Sequence, residues 1–216
     1  MDERMRCGAM WGTKCQAWVE PPSYTHGDHG ALPAHHLHAV QQFQCPPQVL
    51  EMLSGQQYQE HLRIRAVSHR RCPIPVLRRL ATDPSWSVRA AVASHPRCPP
   101  ALLVQLVHDP EDEVQAVVAS RLHLDTDRPL LAQLARTGGY GTKRVVAGNR
   151  HTSGTTLRHL AHSDHIGVRW QVASNPSCGP RTLLTLTTDP ISSVREAAQT
   201  NPSLPEEYRL LKQLVR

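Results

Sequence analysis

The sequence predicts an all-α solenoid of about six short helical repeats, preceded by a small irregular segment. Three observations carry that prediction. A branched or apolar residue followed by a polar, mostly basic one recurs as Leu62-Arg63, Val88-Arg89, Val114-Gln115, Thr142-Lys143, Val168-Arg169 and Val194-Arg195, at a spacing of 26 residues except for a third step of 28. Each copy then carries a small apolar pair: Ala66-Val67, Val92-Ala93, Val118-Ala119, Val146-Ala147, Val172-Ala173 and a degenerate Ala198-Gln199. Each closes on a polar cap, often with proline, at His69, His95-Pro96, Arg121, Asn149, Asn175-Pro176 and Asn201-Pro202. A period of this length marks one supersecondary unit stacked many times.

The unit reads as helix, tight turn, helix, tight turn, with residues 83–108 as the clearest copy. Asp83-Pro84 opens it, because an Asp side chain satisfies free N–H groups and proline suits a first helical turn. Val88, Ala91 and Val92 share one face at helical spacing, and His95-Pro96 ends the helix. After Arg97-Cys98-Pro99, Pro100 starts a second piece whose Leu102, Leu103, Leu106 and Val107 are again one-sided. Both helices fall short of the roughly 12–15 residues at which an isolated helix becomes marginal, so stability must come from stacking. In the fourth unit Thr137-Gly138-Gly139-Tyr140-Gly141 stands in place of the Asp-Pro opening. That predicts a loosened joint there, holding the two extra residues, or else a tolerated surface insertion.

Composition agrees. Aromatic residues make up 4% of the 216-residue chain, too few for one large core but enough for thin aliphatic layers. The 18 prolines recur at fixed repeat positions and so mark turns. No apolar run long enough to span a bilayer is present, and no leader with a cleavage site, which predicts a soluble cytoplasmic protein. Residues 1–58 carry three Lys/Arg against five Asp/Glu, whereas 59–216 carry 21 against 13, a net of +8. The chain accordingly divides into an N-terminal Cys/His segment, 1–58, ending in a first partial repeat, and the array, 59–216.

The recurring basic position, Arg63, Arg89, Lys143, Arg169 and Arg195, would form a ladder along the stack. As a partner-binding surface it could track phosphates. As a structural device each arginine would pair with the Asp opening its own helix or a neighbouring one, as Arg89 with Asp83 or Arg195 with Asp189. Such surface pairs are worth under about 1 kcal/mol each.

The phrase Asp-Pro-x-x-x-Val-Arg-x-x-Val-Ala-x-His/Asn-Pro-x-x-x-Pro-x-x-Leu-x-x-Leu, at Asp83–Leu106 and again at Asp164–Leu186, resembles the leucine-rich repeat variant family over about residues 45–214. The resemblance implies a right-handed superhelix in which an α-helix alternates with a 3₁₀-helix. Some members carry an amino-terminal segment of about fifty residues in which four cysteines hold an iron–sulfur cluster.

The six cysteines form two populations. Cys72, Cys98 and Cys178 share one repeat position, occupied elsewhere by Leu124, Thr152 and Leu204, which reads as a buried packing site. Cys7, Cys15 and Cys45 flank a segment rich in histidine (His26, His29, His35, His36 and His38) with little helical periodicity. Such a segment would gain from a metal staple. A [4Fe–4S] cluster, zinc and no metal at all remain open; the candidate ligands are Cys7, Cys15, Cys45 and, fourth, Cys72 or a histidine. Against a tight chelate, there is no Cys-x-x-Cys pair.

No catalytic constellation is evident, which predicts a protein that is not an enzyme and has no small-molecule substrate. Gly138-Gly139-Tyr140-Gly141 lacks the Lys-Ser/Thr of a phosphate loop, and His159, His162 and His165 beside Asp164 fall where an opening turn is polar anyway. Trp86 and Trp170 either stack on bases or cover a neighbouring layer. The expected function is a binding scaffold for a protein partner, with nucleic-acid-backbone binding as the alternative.

Overall fold

The structure, a computed structural model, describes Cys45 and residues 47–208. Among these every regular element is helical. The helices that open a unit (A helices) are α2 (Glu60–Ser68), α4 (Trp86–Ser94), α6 (Asp112–Arg121), α8 (Tyr140–Gly148), α10 (Ile166–Ser174) and α12 (Ser192–Thr200). Between them lie the closing B helices α3 (Ile74–Leu80), α5 (Pro100–Leu106), α7 (Arg128–Thr137), α9 (Gly154–Leu160) and α11 (Pro180–Leu186), with α1 (Pro47–Leu53) as the B helix of a preceding partial unit. Each A helix packs on the next A helix and on the B helices beside it, so the repeats stack in register.

The recurring apolar positions explain the stacking. Val88, Val114, Val168 and Val194 are fully buried, as are the small Ala66, Ala93, Ala119, Ala147 and Ala173 that let consecutive A helices approach closely. Four B helices, α3, α7, α9 and α11, add a leucine pair, Leu77/Leu80, Leu131/Leu134, Leu157/Leu160 and Leu183/Leu186, to one continuous core, and α5 adds Leu102 and Leu106. Burying such a side chain is worth about 1.5–3 kcal/mol, which no isolated seven- or nine-residue helix could gain alone.

The alternation of helix types is realised as long and short α-helices. Most B helices are seven-residue α-helices framed by i→i+3 bonds, as in Val76 N–H to Pro73 O (3.0 Å) and Asp83 N–H to Leu80 O (3.2 Å). The 3₁₀ segment is Asp125–Asp127.

That segment also relocates the two extra residues. From A-helix start to B-helix start is 14 residues in one unit (Trp86 to Pro100) and 16 in the next (Asp112 to Arg128), while B start to the following A start is 12 in both. The insertion therefore lies in the connector before α7. There Asp127 Oδ2 accepts the N–H groups of His123 and Leu124 at 3.1 and 3.0 Å. The glycine joint is not loose either. Asp112 of α6 reaches across the stack and accepts N–H bonds from Gly139 and Gly141 at 2.8 Å each and from Thr142 at 3.2 Å, while the Thr142 hydroxyl donates to Asp112 O. A Cβ at Gly139 would lie 2.8 Å from the Asp112 carboxyl carbon, so glycine is what permits this carboxylate to cap α8.

Candidate functional site

The basic ladder lies within the stack. The Arg63 Nε and Nη2 donate to Asp83 at 2.8 and 3.0 Å, Arg89 donates to Asp109 at 2.6 and 2.9 Å, and Arg169 to Asp189 at 2.7 and 3.2 Å. Each pair joins one unit to the opening turn of the next, 20 residues on. Arg89 therefore does not pair with the Asp83 side chain. Instead its Nη1 donates to the Asp83 and Pro84 carbonyls, as Arg169 does to Ser163 and Asp164 and Arg195 to Asp189 and Pro190. One guanidinium thus fastens two successive turns (a planar fork suits this better than an ammonium).

Burial changes the energetics expected of these pairs. The Arg63 and Asp83 side chains are 9% and 0% exposed, the other two pairs little more. Asp189 is held below the usual carboxylate range, chiefly by the hydrogen bonds from Arg169, against the opposing effect of burial; Arg89 is raised by its bond to Asp109. Guanidinium groups so enclosed at 63, 89 and 169 do not face a partner's phosphates. Where the ladder lacks a pair the sequence differs on both sides. Gln115 keeps only the bond to its own turn, to Asp109 O at 2.7 Å, and Lys143 has Ser163 twenty residues on. Ser163, not Asp164, occupies the opening position, since the His165 N–H bonds its hydroxyl at 3.3 Å just as Ser85 N–H bonds Asp83 at 2.9 Å.

A second ladder closes the other end of the A helices. Asn175 Nδ2 donates to Ala147 O and Asn149 O at 2.7 and 3.0 Å, and its Oδ1 accepts the Ser177 N–H at 2.8 Å. Asn201 repeats this on Ala173 and Asn175, and Asn149 does so on Ala119 and Leu122. These side chains satisfy the carbonyls that the end of the preceding helix leaves free. The sequence showed the caps but not that they reach into the neighbouring unit.

His95 fills the same place. Its Nδ1 accepts the Arg97 N–H at 3.1 Å, which leaves Nε2 to donate to His69 O at 3.2 Å. Burial lowers its pKa from 6.5, with the cations Arg97 and Arg121 adding to the effect and the bond to His69 O opposing it. The unfolded chain then takes up a proton before the folded one, so stability is complete above pH 6.5 and declines as pH falls through the lower folded value. His95→Asn, the choice the chain itself makes at 175 and 201, should flatten that decline in urea midpoints measured between pH 7.5 and 5. An unchanged slope would mean His95 is not its source.

The candidate metal ligands divide. Cys7 and Cys15 lie outside the described residues. Cys45 and Cys72 are buried, and Cys45 stands two residues before its B helix as Cys72 and Cys98 do. Burial pushes the Cys72 thiol up to about 12, against the lowering influence of Arg97 and Arg79, and Cys178 to about 11. Cys45 and Cys72 both occupy the packing position of their repeats, and the proton that burial keeps on Cys72 is one that a bound metal would have to displace. Among the described residues no group of three His, Cys, Asp or Glu side chains is placed to hold a metal ion. His159, His162 and Asp164 are exposed, and His165 packs its ring on Tyr140, centroids 5.0 Å apart.

Several large apolar side chains remain open on the surface. Trp86 and Trp170 are 46% and 43% exposed, and Tyr140 and Ile166 are similarly open. Ile166 and Trp170 lie one turn apart on α10. The Tyr140 hydroxyl sits over Gly167, where a Cβ would come within 2.6 Å of it. No described helix is long and apolar enough to cross a membrane.

Residues 86–111 match the family model described as leucine rich repeat variant. Among solved structures, one titled "a leucine-rich repeat variant with a novel repetitive protein structural motif" superposes with a TM-score of 0.62 at 23% identity, covering 80% of this chain and 67% of that one. No curated protein matches the sequence. Residues 86–111 therefore form a leucine-rich repeat variant unit, and the helical stack around them has the fold of that solenoid.

Proposed function

We propose that this chain is a non-enzymatic scaffold that docks a protein partner on the outward face of its A helices. The observation that carries the reading is the set of large apolar side chains left open there, Trp86, Tyr140, Ile166 and Trp170, on a framework whose buried polar groups serve the stacking. Aromatic anchors on a rigid surface are what protein recognition draws on most. The test is selection from a random dodecapeptide library on the immobilised chain. A defined consensus should emerge, and the Ile166→Ser/Trp170→Ser double variant, melting unchanged, should lose most of it. Failure of the intact chain to enrich any consensus would sink the proposal.

A nucleic-acid reading has one observation in its favour. Residues 128–188 carry eight Lys/Arg and a single carboxylate, Asp164. Backbone binding of that kind would weaken steeply with salt, so retention on mixed-sequence duplex DNA at low salt is its measurement.

An iron–sulfur cluster at the amino terminus rests on the family resemblance and on Cys7, Cys15 and Cys45, with Cys72 or a histidine as the fourth ligand. Anaerobically purified protein free of iron and colour would dismiss it.

A further inference from the structure

The B helices, unlike the A helices, leave space between them. Between α9 and α11 a groove of about 650 Å³ is lined by Ser153, Thr155, Gly179 and Pro180, with Arg158 on one wall and Arg181 on the other. Both arginines are exposed, and neither guanidinium makes a hydrogen bond or ion pair among the described residues; the Arg181 carbonyl accepts the Thr185 hydroxyl at 3.3 Å. This distinguishes them from Arg63, Arg89 and Arg169, whose charges are already neutralised within the stack. No carboxylate occurs in residues 150–163 or 170–188, the stretches that form both walls and their connectors. An added Cβ at Gly154 or Gly179 would meet nothing within 4 Å, so the floor of the groove is open.

We infer that this groove is a docking site for an acidic segment of a protein partner, its carboxylates paired with Arg158 and Arg181. Charge complementarity argues for it: two unpartnered guanidinium forks sit in the part of the array where cations outnumber carboxylates eight to one. A guanidinium presents two parallel N–H groups that match a carboxylate, and the threonine methyls and Pro180 give the segment's apolar atoms a surface. No aromatic ring lines the groove on which a base could stack, which favours a peptide over a single-stranded nucleic acid. The inference deepens the scaffold reading by naming a second surface and the chemistry it recognises.

The experiment uses the full chain and a dodecapeptide library enriched in Asp and Glu. Selected peptides should carry at least two carboxylates and bind less well as salt rises. Their affinity for Arg158→Glu/Arg181→Glu should fall by roughly tenfold or more. The same peptides should still bind Ile166→Ser/Trp170→Ser, so loss of the A-helix face and loss of the groove are read separately. Both arginines are exposed, so the charge-reversed chain should melt as the unmodified one does. Conversely, the inference is overturned by selection of peptides without acidic residues, or by binding indifferent to the Arg158/Arg181 reversal. A 20-base-pair duplex that binds more tightly than the peptides, with the same sensitivity to that reversal, would reassign the groove to nucleic acid.

Discussion

Asp83→Ala should destabilise the chain by about 3–5 kcal/mol, the cost of leaving a buried guanidinium without its partner. Asp83 receives two bonds from Arg63, at 2.8 and 3.0 Å, and one from the Ser85 N–H at 2.9 Å. Removing the carboxylate therefore strands a cation and frees the opening turn of α4 together. Urea unfolding gives the magnitude, and hydrogen exchange should localise the loss to α2 and α4, the helices that the pair joins. The double variant Arg63→Met/Asp83→Leu should recover most of it, because an apolar pair of similar volume carries no desolvation penalty. A loss under about 1 kcal/mol in the single variant would show that water reaches the pair and that it behaves as a surface contact.

Asn175→Ala should cost about 1–3 kcal/mol, since it leaves the buried Ala147 carbonyl and the Ser177 N–H without their partner and Asn149 O with only the Thr152 N–H. The residue itself is buried at a repeat interface, and so is its bond to Ala147 O, which water does not replace. Asn175→His should restore part of the stability, because His95 makes the same kind of contacts two ways, to His69 O and from Arg97 N–H. Equal losses for Ala and His would mean that side-chain volume, not hydrogen bonding, governs this position. The measurement is again the urea midpoint, taken above pH 7 so that an introduced histidine stays neutral.

The register of the repeats was legible because stacking demands the same residue at the same place each time. Val88, Val114, Val168 and Val194 are buried alike, and Cys72, Cys98 and Cys178 are buried packing residues as their exchange with Thr152 and Leu204 indicated. Leu124, assigned to the same position, is instead 56% exposed because the two extra residues displace it from α7. Less legible was anything set by contact across units. Arg89 was expected to pair with the Asp of its own helix, Asp83, or of a neighbouring one, and it is the neighbour's Asp109, because adjacent A helices bring that opening turn alongside. Asp164 looked like an opening aspartate, but the turn it would start belongs to Ser163. The two extra residues were placed at the glycines, whereas the connector before α7 absorbs them and Asp112 secures the glycine joint from another unit.

For the candidate site the division is the same. Sequence marked Arg63, Arg89, Lys143, Arg169 and Arg195 as a recurring basic row without showing that three of them are enclosed with a carboxylate. It contained the concentration of positive charge between 128 and 188, but only the structure sets Arg158 and Arg181 on facing walls of one groove. Local periodicity thus determined that this chain is a stack of short helices, because each unit's apolar face and caps are written within its own 26 or so residues. Which charges are consumed inside the stack and which stay available was decided by tertiary structure, since pairing depends on distances between residues that only the neighbouring repeat brings together.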